Sequence, residues 1–124
     1  MDDVDIIPIA IMLDFSGGNS TPFDTAALRV AMEYAIFRLN NVSGLLPANK
    51  KVCAILLDDQ TRPTTAVQNS INLPNLGIAG VVGGMSSSIS IVVQDVVSAW
   101  NIPQISPGAT APQLSDKETY PTFA

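Results

Sequence analysis

The chain has 124 residues, 47% hydrophobic and 14% charged, with a formal net charge of -5. This length and apolar content exclude disorder by composition and suit one domain with a modest core. The six lysines and arginines are scattered and histidine is absent, which excludes a basic nucleic-acid groove or polybasic membrane patch and removes the usual general base and the commonest metal ligand.

The N-terminus is acidic at Asp2, Asp3 and Asp5, so it carries no basic leader signature. Val4 to Leu13 is almost wholly apolar, which predicts a parallel strand covered on both faces. Pro8 lacks a ladder donor and belongs near a strand end or an irregularity. Asp14 to Pro22 reads as a loop. Asp24 or Thr25 caps a helix whose predicted inward stripe is Ala27, Leu28, Ala31, Ala35, Leu39 and Val42. That helix stops near Asn40-Asn41, and Ser43-Gly44 turns the chain. The triplets Asn19-Ser20-Thr21 and Asn41-Val42-Ser43 are glycosylation sequons, a hint of secretion.

Val52 to Leu57 is the second predicted strand. It holds Cys53, the sole cysteine, so no internal disulfide or thiolate metal cluster is available, and the apolar run predicts a buried, inert thiol. Pro63 opens a helix that runs to about Ile71. Leu73 to Gly77 breaks it, and Ile78 to Val82 is the third strand.

Gly83-Gly84-Met85-Ser86-Ser87-Ser88 then turns the chain into a helix from Ile89 to Trp100. On a helical projection, Ile89, Val92, Val93, Val96, Val97, Ala99 and Trp100 cover roughly 160°, wider than the ~100° of an ordinary surface helix. Two readings of the surplus stay open: a partner subunit, or a helix wedged between neighbours. Gly83-Gly84 and Gln94-Asp95 interrupt the apolar runs, so no bilayer span is present. Ile102 to Ser106 is a short fourth strand. Pro107 to Tyr120 is loop, with a helical turn at Ser115 to Glu118. Thr122-Phe123-Ala124 begins another strand.

Alternating strands and helices predict an α/β fold in one domain over 1–124: a doubly wound, mostly parallel, flavodoxin-like sheet in a three-layer αβα arrangement. Ligands in such sheets bind beyond the carboxyl ends of the strands. Four loops fall there: Ser16 to Pro22, Asp58 to Arg62, Gly83 to Ser88 and Ser106 to Thr110. A helix that starts at Ser86-Ser87-Ser88 offers unpaired N–H groups and the positive end of its dipole, which favour an anion. Thr110 adds a hydroxyl from the next strand end, and Gly108 brings a carbonyl close because no side chain intervenes. Donors for a carboxylate beside acceptors for an ammonium suit the α-carbon group of an amino acid. A serine-rich cap with no ligand explains the same residues.

Other chemistry has weaker signals. Asp58-Asp59 can hold Mg²⁺ or simply cap a turn. Ser16 to Thr21 resembles a phosphate-cradling flavin loop but lacks a P-loop lysine. No Gly-x-Ser-x-Gly elbow or Ser and Lys pair occurs, so neither an enzyme, a cofactor nor a metal is expected.

Several segments together resemble the amino-terminal part of the type I periplasmic binding-protein superfamily, which includes bacterial amino-acid binding proteins and the flytrap ectodomains of class C receptors. They are Ile9 to Gly18, Asn40-Asn41-Val42-Ser43-Gly44-Leu45-Leu46-Pro47, Leu57-Asp58-Asp59 with Pro63, Gly83 to Ser88, and above all Asn101-Ile102-Pro103-Gln104-Ile105-Ser106-Pro107-Gly108-Ala109-Thr110-Ala111-Pro112-Gln113-Leu114-Ser115-Asp116-Lys117 through Phe123. The Leu45-Leu46-Pro47 and Ala99-Trp100-Asn101 runs look more like the receptors.

The resemblance implies that Ser87 and Thr110 hold a ligand's α-carboxylate and ammonium. It further implies that Gly108 and Ala109 lend backbone and that Ser86 and Ser88 flank the site. It implies a homodimer face on the helix with Val96, Ala99 and Trp100, a small-molecule partner, and an extracellular or periplasmic parent serving signalling or transport. Thr61 and Ser86 stand where relatives carry a small disulfide, and Asn19 falls near a ligand-stacking tryptophan of type B GABA receptors. By the same likeness the chain corresponds to part of a first lobe, a natural fragment or an engineered half-domain. Weak binding and self-association are then expected. The contrasting readings are a structural or dimerisation module with a vestigial site, and a flavodoxin-like redox protein.

Overall fold

The computed structural model describes residues 3–16, 24–42 and 44–124. Strand β1 spans Asp5–Leu13, helix α1 Thr25–Asn41, β2 Lys50–Asp58, α2 Pro63–Ile71, β3 Val81–Gly83, α3 Ser87–Val97 and β4 Gln104–Ile105. The sheet order is β2-β1-β3-β4, and every pairing is parallel. A parallel bridge from Gln104 to Phe123 adds the start of a further strand beside β4. The expected doubly wound α/β architecture is therefore present.

Alternation along β1 divides the core. Ala10 and Met12 face one side with Ala66, Leu73, Val81, Ile89, Val93 and Val97, which places α2 and α3 there. Ile11 and Leu13 face the other side with Leu28, Met32 and Ile36 of α1. Helix α1 covers the β1–β2 half of its face. Beside it, Ile9, Val82 and Ile105 line an apolar groove of about 200 Å³.

Pro8 sits inside β1 but outside the regular β1–β3 ladder, which begins at Ala10 and Val81. Its carbonyl accepts from Ala79 N, so its missing N–H points to a stretch with no ladder bond to lose. Asp24 caps α1 by accepting from Ala27 N at 3.1 Å. Pro63 opens α2 and Ser86 caps α3. The α3 helix ends at Val97 and continues as a 3₁₀ turn over Ser98–Trp100. A 3₁₀ turn over Pro112–Ser115 precedes the place where a turn from Ser115 was expected.

Two expectations are corrected. The inward stripe of α1 is Leu28, Met32 and Ile36, while Ala27, Ala31 and Ala35 face outward and Val42 is exposed. The helix carries apolar residues around most of its circumference, so spacing alone selected the small residues, whereas burial favours the large ones. Cys53 is exposed rather than buried. It lies on β2, the edge strand of the sheet, where an apolar neighbourhood in sequence does not guarantee a covering helix.

Candidate functional site

The β1–β3 pairing ends at Met12 and Gly83, and the β3–β4 pairing at Val82 and Ile105. Beyond that point the chain leaves the sheet through Gly83 and Gly84, both with positive φ. At Gly83 an added Cβ would overlap the Met12 carbonyl. At Gly84 it would lie 2.7 Å from Ser90 N. Glycine is required at both because the backbone peels off against β1 and turns at once into α3.

Ser86 is engaged as the N-cap, its hydroxyl accepting from Ile89 N at 3.4 Å and lying 3.1 Å from Ser88 Oγ. Ser86 O accepts from Ser90 N. The Ser87 and Ser88 amides have no protein partner among the described residues, so two N–H groups stand open at the helix start. Ser87 Oγ accepts from Thr110 N at 3.1 Å and from Ala111 N at 3.0 Å. With both lone pairs engaged, its own O–H is left as a donor. These two bonds bring the serine turn and the loop after β4 to one place.

The loop after β4 is fixed from below. Ala109 and Ala111 pack on Leu114, Tyr120, Phe123 and Ile91 of α3. Alternation then turns Thr110 outward, where it is exposed. The Ala109 methyl belongs to this apolar support, so only its backbone can face a ligand, and its N–H is already given to Ser106 Oγ at 2.8 Å. Gly108 is glycine for a second reason: a Cβ there would lie 2.7 Å from Met85 O. The Gly108 carbonyl and Thr110 hydroxyl have no protein partner among the described residues. A cavity of about 310 Å³ opens beside Thr110, lined also by Leu114, Lys117 and Phe123.

Three buried polar residues escaped the sequence reading. Ser90 Oγ donates to Gly84 O at 2.8 Å. Gln104 Nε2 donates to Gly83 O at 2.9 Å and to Ser90 O at 3.3 Å. Gln94 Nε2 donates to Gln104 Oε1, and Thr122 Oγ1 donates to Gln94 Oε1. The available signal was a glutamine inside each of two apolar runs, because a polar side chain on an inward face needs a partner.

The acidic strand ends form a different structure. Asp58 Oδ1 accepts from Phe15 N and Gln60 N, both at 3.0 Å. Asp14 Oδ2 accepts from Thr61 Oγ1 at 2.8 Å, and Asp59 Oδ1 from Thr61 N at 2.8 Å. Thr61 has φ 50°, an unusual conformation for a β-branched residue, and these two bonds hold it. Burial raises the Asp59 carboxyl above its ordinary value. The Thr61 N–H opposes that shift, and the charges of Asp14 and Asp58 add to it. Asp58-Asp59 thus serve turns, and no group of metal-binding size occurs among the described residues. The expectations on Asn19 and on the loop proposed to cradle phosphate lie outside the described residues.

Toward the C-terminal end of α3, Val93 and Val97 are buried in the core and Val96 is half-buried, while Ala99 and Trp100, in the 3₁₀ turn that follows, are exposed. No described helix is long and apolar enough to cross a membrane.

The architecture matches that of a solved substrate-binding protein. The branched-chain amino acid transporter substrate-binding protein LivJ from Streptococcus pneumoniae, solved with isoleucine, superposes with a TM-score of 0.79 at 20% identity, over 96% of this chain and 33% of that one. This likeness defines the fold. Residues 27–124 match the family described as receptor family ligand-binding region, and the chain belongs to that family. It is 32% identical to metabotropic glutamate receptor 4 of Rattus norvegicus, over 76% of this chain and 13% of the receptor. It is 33% identical to a metabotropic glutamate receptor of Drosophila melanogaster, over 76% of this chain and 12% of that protein. The chain therefore spans a small part of the length of the curated relatives it matches.

Proposed function

We propose that this chain binds the α-carboxylate and α-ammonium of an amino acid or close analogue, as part of a receptor or solute-binding protein acting in an extracellular or periplasmic setting. The observation that carries the reading is the pair of bonds from Thr110 N and Ala111 N to Ser87 Oγ. They join the serine turn to the loop after β4, which supports reading the open donors and acceptors of the two as a cradle for a zwitterion. The Ser87 and Ser88 amides and the Ser87 hydroxyl receive the carboxylate at the positive end of α3. The Gly108 carbonyl and Thr110 hydroxyl accept from the ammonium. No step of bond making is involved, and the chain acts as a binder rather than an enzyme. Names of the relatives, which include glutamate receptors and the substrate-binding protein of a branched-chain amino acid transporter, support this ligand class.

Ser88 and Thr110 are exposed, so a bound amino acid keeps one side in water and the affinity is low, with Kd on the order of 1 mM. Titrating ¹⁵N-labelled protein with glycine, L-leucine and L-glutamate tests the reading. Shifts confined to the 86–88 and 108–111 amides are expected, and no shift with any α-amino acid contradicts it.

One observation favours a second reading, a dimerisation module whose site is vestigial. Trp100 is 55% exposed at the end of α3, with Ala99 beside it. A tight dimer in sedimentation, lost in Trp100→Asp, together with no ligand response, would select that reading.

A further inference from the structure

Strand pairing cannot satisfy the carbonyls of Gly83 and Gly84, because the ladder to β4 stops one residue earlier. Buried carbonyls still need donors. Gln104 and Ser106, on one face of the chain at and just after β4, supply them with side chains: Gln104 Nε2 to Gly83 O at 2.9 Å and Ser106 Oγ to Gly84 O at 2.7 Å. Side chains here continue a ladder that the backbone has left.

Ser106 does more than Gln104. Its oxygen accepts from Gly108 N at 3.2 Å and Ala109 N at 2.8 Å. One hydroxyl has one donor and two acceptor positions, and all three are engaged. One contact fixes the glycine turn ahead of Ser86–Ser88, and two fix the loop that presents Gly108 and Thr110. We propose that Ser106 is the positioning residue of the ligand site, setting the distance between its carboxylate-binding and ammonium-binding halves without touching the ligand. This inference rests on the reading of those halves as a zwitterion cradle.

Ser106 can be tested without losing the fold. Gly84 O also accepts from Ser90 Oγ at 2.8 Å, so Ser106→Ala leaves that carbonyl bonded. What it frees is the Gly108–Ala109 backbone. Ser106→Thr restores the hydroxyl. The probes are glycine and L-leucine, titrated by NMR into the wild-type chain, Ser106→Ala, Ser106→Thr and a control, Thr64→Ala, at an exposed position of α2. Spectra of the ligand-free variants are recorded alongside.

The expected result is an affinity about tenfold lower in Ser106→Ala, with glycine and leucine weakened alike. Ser106→Thr and Thr64→Ala should stay within about twofold of wild type. In the free protein, Ser106→Ala should shift the Gly108 and Ala109 amides while the α2 amides stay unchanged. Wild-type affinity in Ser106→Ala, beside a wild type that binds, overturns the role of Ser106 and spares the cradle. A wild type that binds neither probe overturns both, and the free-protein amide shifts then report only a structural tie. Failure of Ser106→Thr to recover affinity, with its fold intact, also counts against the proposal.

Discussion

Replacing Gly108 by alanine tests the packing beneath the site. The built Cβ would lie 2.7 Å from the Met85 carbonyl oxygen and 3.0 Å from the Met85 methyl. Ordinary contact to the oxygen starts near 3.4 Å, so the loop or Met85 must move by about 0.7 Å, enough to forfeit a sizeable part of the local dispersion attraction. Met85 is itself buried against Ile11 and Leu13, so the loop yields first. Such overpacking costs about 1–3 kcal/mol, or a drop in Tm of roughly 4–12 °C for a domain of this size. The same shift pulls Thr110 N and Ala111 N away from Ser87. Gly80→Ala is the matched comparison, because its Cβ would meet Pro103 at ordinary contact distances, O at 3.5 Å and Cγ at 3.6 Å, and alanine there should leave stability unchanged or slightly higher. Urea denaturation of both variants, read by circular dichroism, measures the difference. Equal stability of Gly108→Ala and Gly80→Ala would refute the close contact between the two loops.

Asp59→Asn should stabilise the protein at pH 7, because the amide keeps an acceptor for Thr61 N and removes a charge that burial disfavours. The native carboxyl is raised above its unfolded value, so the destabilisation is fully present above the native pKa and vanishes as pH falls below the unfolded one. Urea midpoints should therefore converge near pH 3, and an equal gap at all pH values would contradict this. Gln94→Leu removes the acceptor of Thr122 Oγ1 and the donor to Gln104 and should cost about 2 kcal/mol, measured by the same denaturation. Cys53 is exposed on β2, so Ellman's reagent should modify the native chain without denaturant, whereas a protected thiol would contradict the placement of that strand at the sheet edge.

Periodicity exposed the architecture because the sheet is parallel and covered on both faces at β1. Its continuous apolar run, from Ile6 to Leu13, has few competing explanations. The proline at Pro63 and the polar residues at Asp24 and Ser86 marked helix starts that the backbone then adopted. The pairing of Ser87 with the Thr110 loop was also within reach, since both follow neighbouring parallel strands and exit at the same edge. Helix α1 was harder, because alanines and larger residues share its circumference, and only the sheet beside it decides which side is inward. Cys53 was misread for a related reason: strand order, which composition does not encode, makes β2 an edge. The roles of Gln104 and Ser106 were hidden because they satisfy carbonyls whose need arises only once the chain turns away at Gly83. The glutamine inside an apolar run marks a buried polar group that needs a partner, but spacing does not say which carbonyl it serves.

The account depends on Ser87 and Thr110 meeting the same small molecule. The most direct measurement is a calorimetric or NMR titration of Ser87→Ala/Thr110→Ala with glycine and L-glutamate beside the wild-type chain, with folding checked by circular dichroism. Binding by the wild type and its disappearance in the double variant is the predicted result. Unchanged affinity in a folded double variant would show that any ligand sits elsewhere.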